Sequence, residues 1–362
     1  MTKRKVDLGA SLRDMADRYV EDNPADFAAL RQGVRRRRAR AWVVRGAGLA
    51  TAAAMAGLVF YATGPARMPA ETTLPPVAPA ESSIATEVPL SGNLYQIAGA
   101  GDLAVVTRNQ GQISRVDAGS AVPMWTVDIG GFPADVVVVS DGVWVSDRSN
   151  NRIVHMDIRT GEVLGDSIQL EADEAPTRMN VGAEAIRVVL RDRSVTRIDR
   201  ATGEHTVLFD GGALDTAMGN KRFWILTDDG EVLARDPNTG AGVPEVTPVE
   251  GLGEGEITFA RGAVWYGSPG SNELIRIDET DGSMIRSELP GTYVDLDGGS
   301  SGVWVLVDTG TVEGQIIEVE SSDGSFVGTR FELEGTSDDL STGGDGIWIV
   351  QRDTGRAVYL VP

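Results

Sequence analysis

From Gly101 onward the chain is written in short apolar runs of four to six residues, bounded by Gly, Asp, Asn or Ser. The runs favour Val, Ile and Trp, and no long 3.6-residue apolar period appears after residue 62, so the pattern predicts strands rather than helices. One run recurs with tryptophan near its centre: DGVWVSD at 141, KRFWILT at 221, GAVWYGS at 262, SGVWVLV at 301 and DGIWIVQ at 345. The tryptophans, Trp144, Trp224, Trp265, Trp304 and Trp348, are separated by 80, 41, 39 and 44 residues. The gap of 80 holds a unit that lacks its tryptophan, EAIRVVL at 184, and GDLAVVT at 101 starts the series. This makes seven units of about 40 residues, the spacing of radially repeated sheets.

A second mark follows six of the seven first ones by 11 to 15 residues: ISRVD at 113, IVHMD at 153, VTRID at 195, VLARD at 232, LIRID at 274 and IIEVE at 316. Turns such as DIRTGE, DRATGE, DPNTGA and DETDGS come next, where Asp, Asn, Thr or Ser bonds nearby amides and Gly takes positive φ. A further apolar run precedes each tryptophan run, as in ADVVVVS at 134 and GEITFA at 255. Four short strands per unit predict an all-β, seven-bladed β-propeller over residues 84–362.

The last unit stops at Pro362 after its middle strands, while SIATEVPLSGNLYQIAGAGD (83–102) parallels SMIRSELPGTYVDLDGGSSG (283–302). Residues 84–90 are therefore expected to supply the outer strand of the final blade and to leave no free edge at the ring joint. The motif GxVWV…RID…TGE resembles the YVTN/virginiamycin-B-lyase-like and PQQ-like families of bacterial propellers. That resemblance implies the propeller fold. The lyases of the family use a His and a Glu with magnesium, positions that cannot be placed on this chain. PQQ enzymes often use a vicinal Cys pair, which a chain without cysteine cannot supply.

Ahead of the repeats, residues 46–62 (GAGLATAAAMAGLVFYA) carry no charge, and Trp42 and Tyr61 stand near the two ends of the span 41–62. A single transmembrane helix fits, with Arg45 snorkelling to the headgroups. Arg35–Arg38 and Arg40 lie before it and Arg67 behind it, so the N-terminus is expected in the cytoplasm and the propeller outside. A cleaved signal peptide would need a basic region of about 45 residues, far beyond the usual form. Residues 63–83, rich in Pro, Ala, Ser and Thr, read as a semi-rigid spacer.

Residues 1–40 form a short basic tail. Leu8, Leu12, Met15 and Tyr19 fall on one helical face, and Asn23 with Pro24 mark a second helix start. So short a segment builds no core alone, and contact with anionic lipid or a cytoplasmic partner would order it. The stretch ADFAALR, leading into RRRRAR and an Ala-rich span, resembles the N-termini of actinobacterial membrane proteins linked to sigma factors. It lacks the His and Cys of one zinc-binding anti-sigma class.

Charge sharpens this division. Residues 1–45 hold twelve of the 33 Lys/Arg and six of the 53 Asp/Glu, leaving a remainder of net charge −26. An acidic body excludes nucleic acid as its partner. The absence of cysteine excludes disulfides, thiolate metal sites and cysteine nucleophiles, and only His155 and His205 are present for imidazole chemistry. Both histidines read as surface strand positions, and the tryptophans, repeated at equivalent places, read as packing between blades. Asp157, Asp199, Asp236 and Asp278 read as turn-formers.

Acids on the inner strands or their end loops are the metal candidates: Asp135, Asp295, Asp297, Asp338 and Asp339 foremost, with Glu184, Asp215, Glu254 and Glu256. Calcium is the ion such carboxylates would suit, and no other cofactor is implied. The expected function is a binding or scaffold module without catalysis, displayed outside the cell membrane and facing a protein or envelope ligand. One alternative is a transmembrane sensor or anti-sigma-like regulator whose tail holds a cytoplasmic partner. Another is a metal-dependent propeller lyase or hydrolase.

Overall fold

The computed structural model describes residues 84–362, apart from 173, 244–247, 300, 301, 311, 312, 320–323, 325 and 345. The tail, membrane span and spacer expected over 1–83 lie outside these residues. Among the described residues no helix is long and apolar enough to cross a membrane.

The strands form seven antiparallel sheets, the blades of a propeller. Their inner strands, blades 1 to 7 in chain order, are Leu94–Ala100, Pro133–Val139, Pro176–Val181, Ala213–Met218, Glu256–Ala260, Thr292–Gly298 and Asp339–Gly343. Each lies beside the inner strands of the blades on either side, and those of blades 7 and 1 meet to complete the ring. Blade 7 takes its outer strand from the other end of the chain: Ile84–Pro89 pairs antiparallel with Arg356–Leu360. Val88 of that strand is fully buried, and the Leu90 amide donates to the Gly355 carbonyl at 2.7 Å. The joint thus rests on hydrogen bonds and apolar contact within one sheet.

Blade 4 departs from the repeat. It has three strands among the described residues, and only the isolated bridges Val232↔Val249 and Arg235↔Gly242 stand where a fourth is expected. The sequence there holds Pro244 and Pro248, which have no N–H to give a ladder.

The core is divided among the seven blade interfaces. Each repeat tryptophan stands on the second strand of its blade and packs on the following blade. Trp144 meets Ile186 and Val188, Trp224 meets Ile257 and Val264, and Trp265 meets Val303 and Val305. Trp304 meets Ile347 and Ile349, and Trp348 closes the circle on Ala104 and Val106. Each such ring removes on the order of 150–250 Å² from water, which makes these interfaces the main apolar joints of the fold. In blade 3 the tryptophan slot holds Arg187, buried over the Phe223 ring of blade 4 at 5.8 Å and donating to the Pro237 carbonyl at 2.7 and 2.9 Å.

The turn aspartates behave as their sequence predicts. Asp157 accepts the amides of Arg159 and Thr160, Asp199 those of Ala201 and Thr202, and Asp236 those of Asn238 and Thr239. Asp278 accepts the Thr280 amide. These bonds hold all four carboxyls below the usual Asp pKa.

Candidate functional site

The inner strands place one polar residue each at the same register around the central axis: Gln96, Asp135, Arg178, Asp215, Glu256, Asp295 and Asp339. In five blades the pairing slips just before this position, between Leu94 and Ile97, Pro133 and Asp135, Pro176 and Arg178, Ala213 and Asp215, and Tyr293 and Asp295. A bulge re-aims the side chain that follows it, and in blades 2, 4 and 6 it precedes an aspartate whose carboxylate reaches the next blade. Asp135 Oδ2 accepts the Met179 amide of blade 3 at 2.6 Å, and Asp215 Oδ2 the Ile257 amide of blade 5 at 2.9 Å. Asp295 Oδ2 accepts the Leu340 amide of blade 7 at 2.7 Å, and Asp339 Oδ2 the Ile97 amide of blade 1 at 2.7 Å. In Asp135 and Asp295 the second oxygen accepts the next amide of its own strand. Each group is a clasp between two inner strands whose edges have no ladder partner on that side.

Arg178 and Glu256 complete the ring. Arg178 donates to Glu256 at 2.5 Å and lies 3.6 Å from Asp215, and the Tyr293 hydroxyl of blade 6 donates to the other oxygen of Glu256 at 3.2 Å. Burial raises the carboxyl pKa values of the ring: Asp135 and Asp339 to about 7, with Asp215 and Asp295 also raised. For Asp295 the charge of Asp339 adds to burial. Arg178 is held charged chiefly by Asp215, while burial raises the Tyr293 hydroxyl well above its ordinary pKa.

The foremost metal candidates therefore have three settings. Asp135, Asp295 and Asp339 are ring clasps. Asp297 is a second clasp one register on, accepting the Thr342 amide at 2.8 Å, and burial raises its pKa too. Asp338 points the other way and accepts the Arg352 amide at 2.9 Å. Asp215 and Glu256 belong to the ring, but Glu184 and Glu254 are exposed on loops outside it. Among the described residues no three His, Asp or Glu side chains converge as they would around a metal ion. The ring oxygens are already aimed at amide donors, which is not the arrangement calcium requires.

A second set of ties runs around the end of the blades where third and outer strands join. There the carbonyl just after the turn aspartate accepts from the preceding blade: Ala118 from Thr86, Ile158 from Arg115 and Trp125, Pro237 from Arg187, and Glu279 from Arg222. In blade 3 the residue at this place, Arg200, reaches back by its side chain instead. It pairs with Asp141 and lies over the Trp144 ring at 4.8 Å.

His155 stacks on the same indole, with ring centroids 4.0 Å apart and an interplanar angle of 8°. Its sequence reading as a surface position is thereby refined to half-buried. The equivalent Arg115, Arg197 and Arg276 pair with Asp117, Asp199 and Asp278 two residues on, a reach the imidazole lacks. His205 is exposed, as expected. Trp144, His155, Glu184 and Arg200 line a shallow cleft on this end.

The same end gathers most of the exposed large apolar side chains. On neighbouring blades 1 and 2 stand Val122 (63% exposed), Met124 (55%), Val163 (47%) and Leu164 (38%). These rim residues, and Arg178 with Tyr293 in the ring, escape single-sequence reading. Only the register of TRMNV against ADVVV, visible once the inner strands are superposed, marks Arg178 as a ring member.

No known family model matches the chain, and no curated protein is similar to it in sequence. Solved structures do match. BamB from Moraxella catarrhalis superposes with a TM-score of 0.52 at 12% identity, covering 78% of this chain and all of that one. The Cps50 (Swd1) β-propeller domain of Myceliophteria thermophila does so with a TM-score of 0.61 at 11% identity, covering 78% of this chain and 99% of that one. At such identities the likeness is one of fold, and it agrees with the strand order: the chain from Ile84 to Pro362 is a seven-bladed β-propeller.

Proposed function

We propose that this chain is a membrane-anchored propeller held outside the cell, which works as a binding or scaffold module and performs no chemistry of its own. The observation that carries this reading is a division of labour between two parts of the ring. The carboxylates at the axis, where a reaction would be sought, are spent on inter-blade amides. The unsatisfied surface lies instead on the rim, where Val122, Met124, Val163 and Leu164 expose apolar area on adjoining blades. Apolar groups clustered on an otherwise acidic surface suit a protein ligand, which would bury them within a polar surround.

The anchor belongs to the same reading and rests on the charge-free span 46–62 and the arginines before it. A lipid bilayer and, on the tail, a cytoplasmic regulator are the further partners it implies. Kinship with YVTN-type or PQQ-type propellers remains part of the proposal and rests on the repeat motif alone.

Photo-crosslinking in cells tests it. A photoreactive residue at Met124 or Leu164 of the full chain is expected to give a discrete protein adduct. One placed at Val207, exposed on the outer strand of blade 3, is expected to give none. Equal labelling at all three positions, or none at any, would contradict the proposal.

A further inference from the structure

Arg108 ends the second strand of blade 1, Leu103–Arg108, and is only 4% exposed. Its guanidinium makes three hydrogen bonds, all to neutral oxygens. Nη1 donates to Gln112 Oε1 at 2.9 Å and to Ser91 Oγ at 3.5 Å, and Nη2 donates to Ser114 Oγ at 2.6 Å. The Ser114 hydroxyl is shared in turn with Thr126 Oγ1 at 2.8 Å. Nε is buried with no acceptor. Arg187, the other buried arginine, has the charge of Asp236 near it, whereas Arg108 takes part in no ion pair among the described residues. A buried cation is normally neutralised by a partner, so an unpaired one in a body of net charge −26 calls for an anion from elsewhere.

The surroundings supply a place for one. Arg108 lines a cleft of about 580 Å³ at the joint between blades 7 and 1. Pro89 and Leu90, at the end of the closing strand, form one apolar wall, and Pro123 forms another. Ser91, Gln112 and Thr126 add neutral polar groups close to the guanidinium. An arginine fork with hydroxyl donors matches a carboxylate, and the proline and leucine walls match an apolar body attached to it.

We infer that this cleft binds a small carboxylate-bearing molecule, with the carboxylate on Arg108 and the apolar part between Pro89, Leu90 and Pro123. Such a ligand touches both the closing strand of blade 7 and the body of blade 1. Its binding therefore tightens the joint on which the ring depends, and occupancy reads out as stability.

The test uses the purified full chain in detergent micelles at constant ionic strength, with sodium benzoate as the probe and sodium chloride as the control. Calorimetric titration is expected to show saturable benzoate binding, and the melting temperature is expected to rise with benzoate concentration. Arg108→Met should lower the affinity at least tenfold. Pro123→Trp, which fills the mouth of the cleft and leaves Arg108 in place, should do the same, and it decides the matter if Arg108→Met fails to fold. Absence of saturable benzoate binding would overturn the inference, as would binding that survives in the folded variants. Saturation by inorganic phosphate but not by benzoate would overturn the assignment to carboxylates.

Discussion

Asp339 Oδ2 accepts the backbone N–H of Ile97 at 2.7 Å, joining two residues 242 positions apart across the seam where the last blade meets the first. The bond needs an oxygen acceptor and not a charge. Asp339→Ala leaves the amide without a partner, at a penalty of about 1–3 kcal/mol. In a domain of this size that corresponds to a fall of about 2–5 °C in melting temperature. Asp339→Asn keeps an oxygen acceptor for Ile97 and carries no charge, so at pH 8 it should melt higher than Asp339→Ala. Thermal melts of the two variants check the pair.

The same ring sets how stability depends on pH. Asp135 and Asp339 have folded-state pKa values of about 7, raised mainly by burial, against about 3.8 in the unfolded chain. Between those values the folded state binds more protons than the unfolded one. Their contribution is present in full below the unfolded value and is lost as pH rises through 7. The turn carboxyls of Asp157, Asp199 and Asp236 are lowered by backbone hydrogen bonds and act in the opposite sense, losing their contribution as pH falls below about 4. The melting temperature is therefore expected to be highest near pH 4, and to be lower by several degrees at pH 8 than at pH 5. The double variant Asp135→Asn with Asp339→Asn should flatten that slope. A stability that rises from pH 5 to pH 8 would show that the ring carboxyls are not shifted upward.

The closing strand makes a separate prediction. Removing residues 84–89 exposes the edge of Arg356–Leu360 and the apolar surface under Val88. Losing that burial and the strand's ladder should destabilise the propeller by several kcal/mol, since one buried Val alone contributes about 1.5–3 kcal/mol and each ladder bond about 1 kcal/mol. The deleted chain is expected to melt at least 10 °C lower, or to associate through the bared edge. An unchanged melt would mean that the ring closes without this strand.

Membrane topology is accessible because the chain has no cysteine of its own. In intact cells, Glu204→Cys on an exposed turn of the propeller should react with a membrane-impermeant maleimide. Ser11→Cys in the tail should react only after lysis. The reverse pattern would invert the proposed orientation.

How far the sequence revealed this depends on the range of each interaction. The blade count, the tryptophan joints and the turn aspartates rest on contacts within one repeat or on its period, and they are readable from GxVWV, RID and TGE. The closing strand is readable too, because 84–89 copies the pattern of 284–288. What stayed hidden are pairings that only the curvature of the ring brings about. Asp135 looks the same on paper whether it holds an ion or the Met179 amide. His155 looks like an exposed strand residue until the Trp144 ring is placed beneath it. Arg108 gives no signal at all, because its cleft is half built by Pro89 and Leu90, some 20 residues upstream and in a different blade.

In the proposed function the rim binds while the axis holds the ring together. The most direct measurement is recovery of the Met124 crosslinked adduct from two folded variants of the full chain, one altered at the axis and one at the rim. Asp135→Asn with Asp339→Asn should give the same adduct in undiminished yield. Val122→Glu with Leu164→Glu should lose it at least tenfold. The opposite result, an adduct lost with the ring variant and kept with the rim variant, would place binding at the axis and not at the rim.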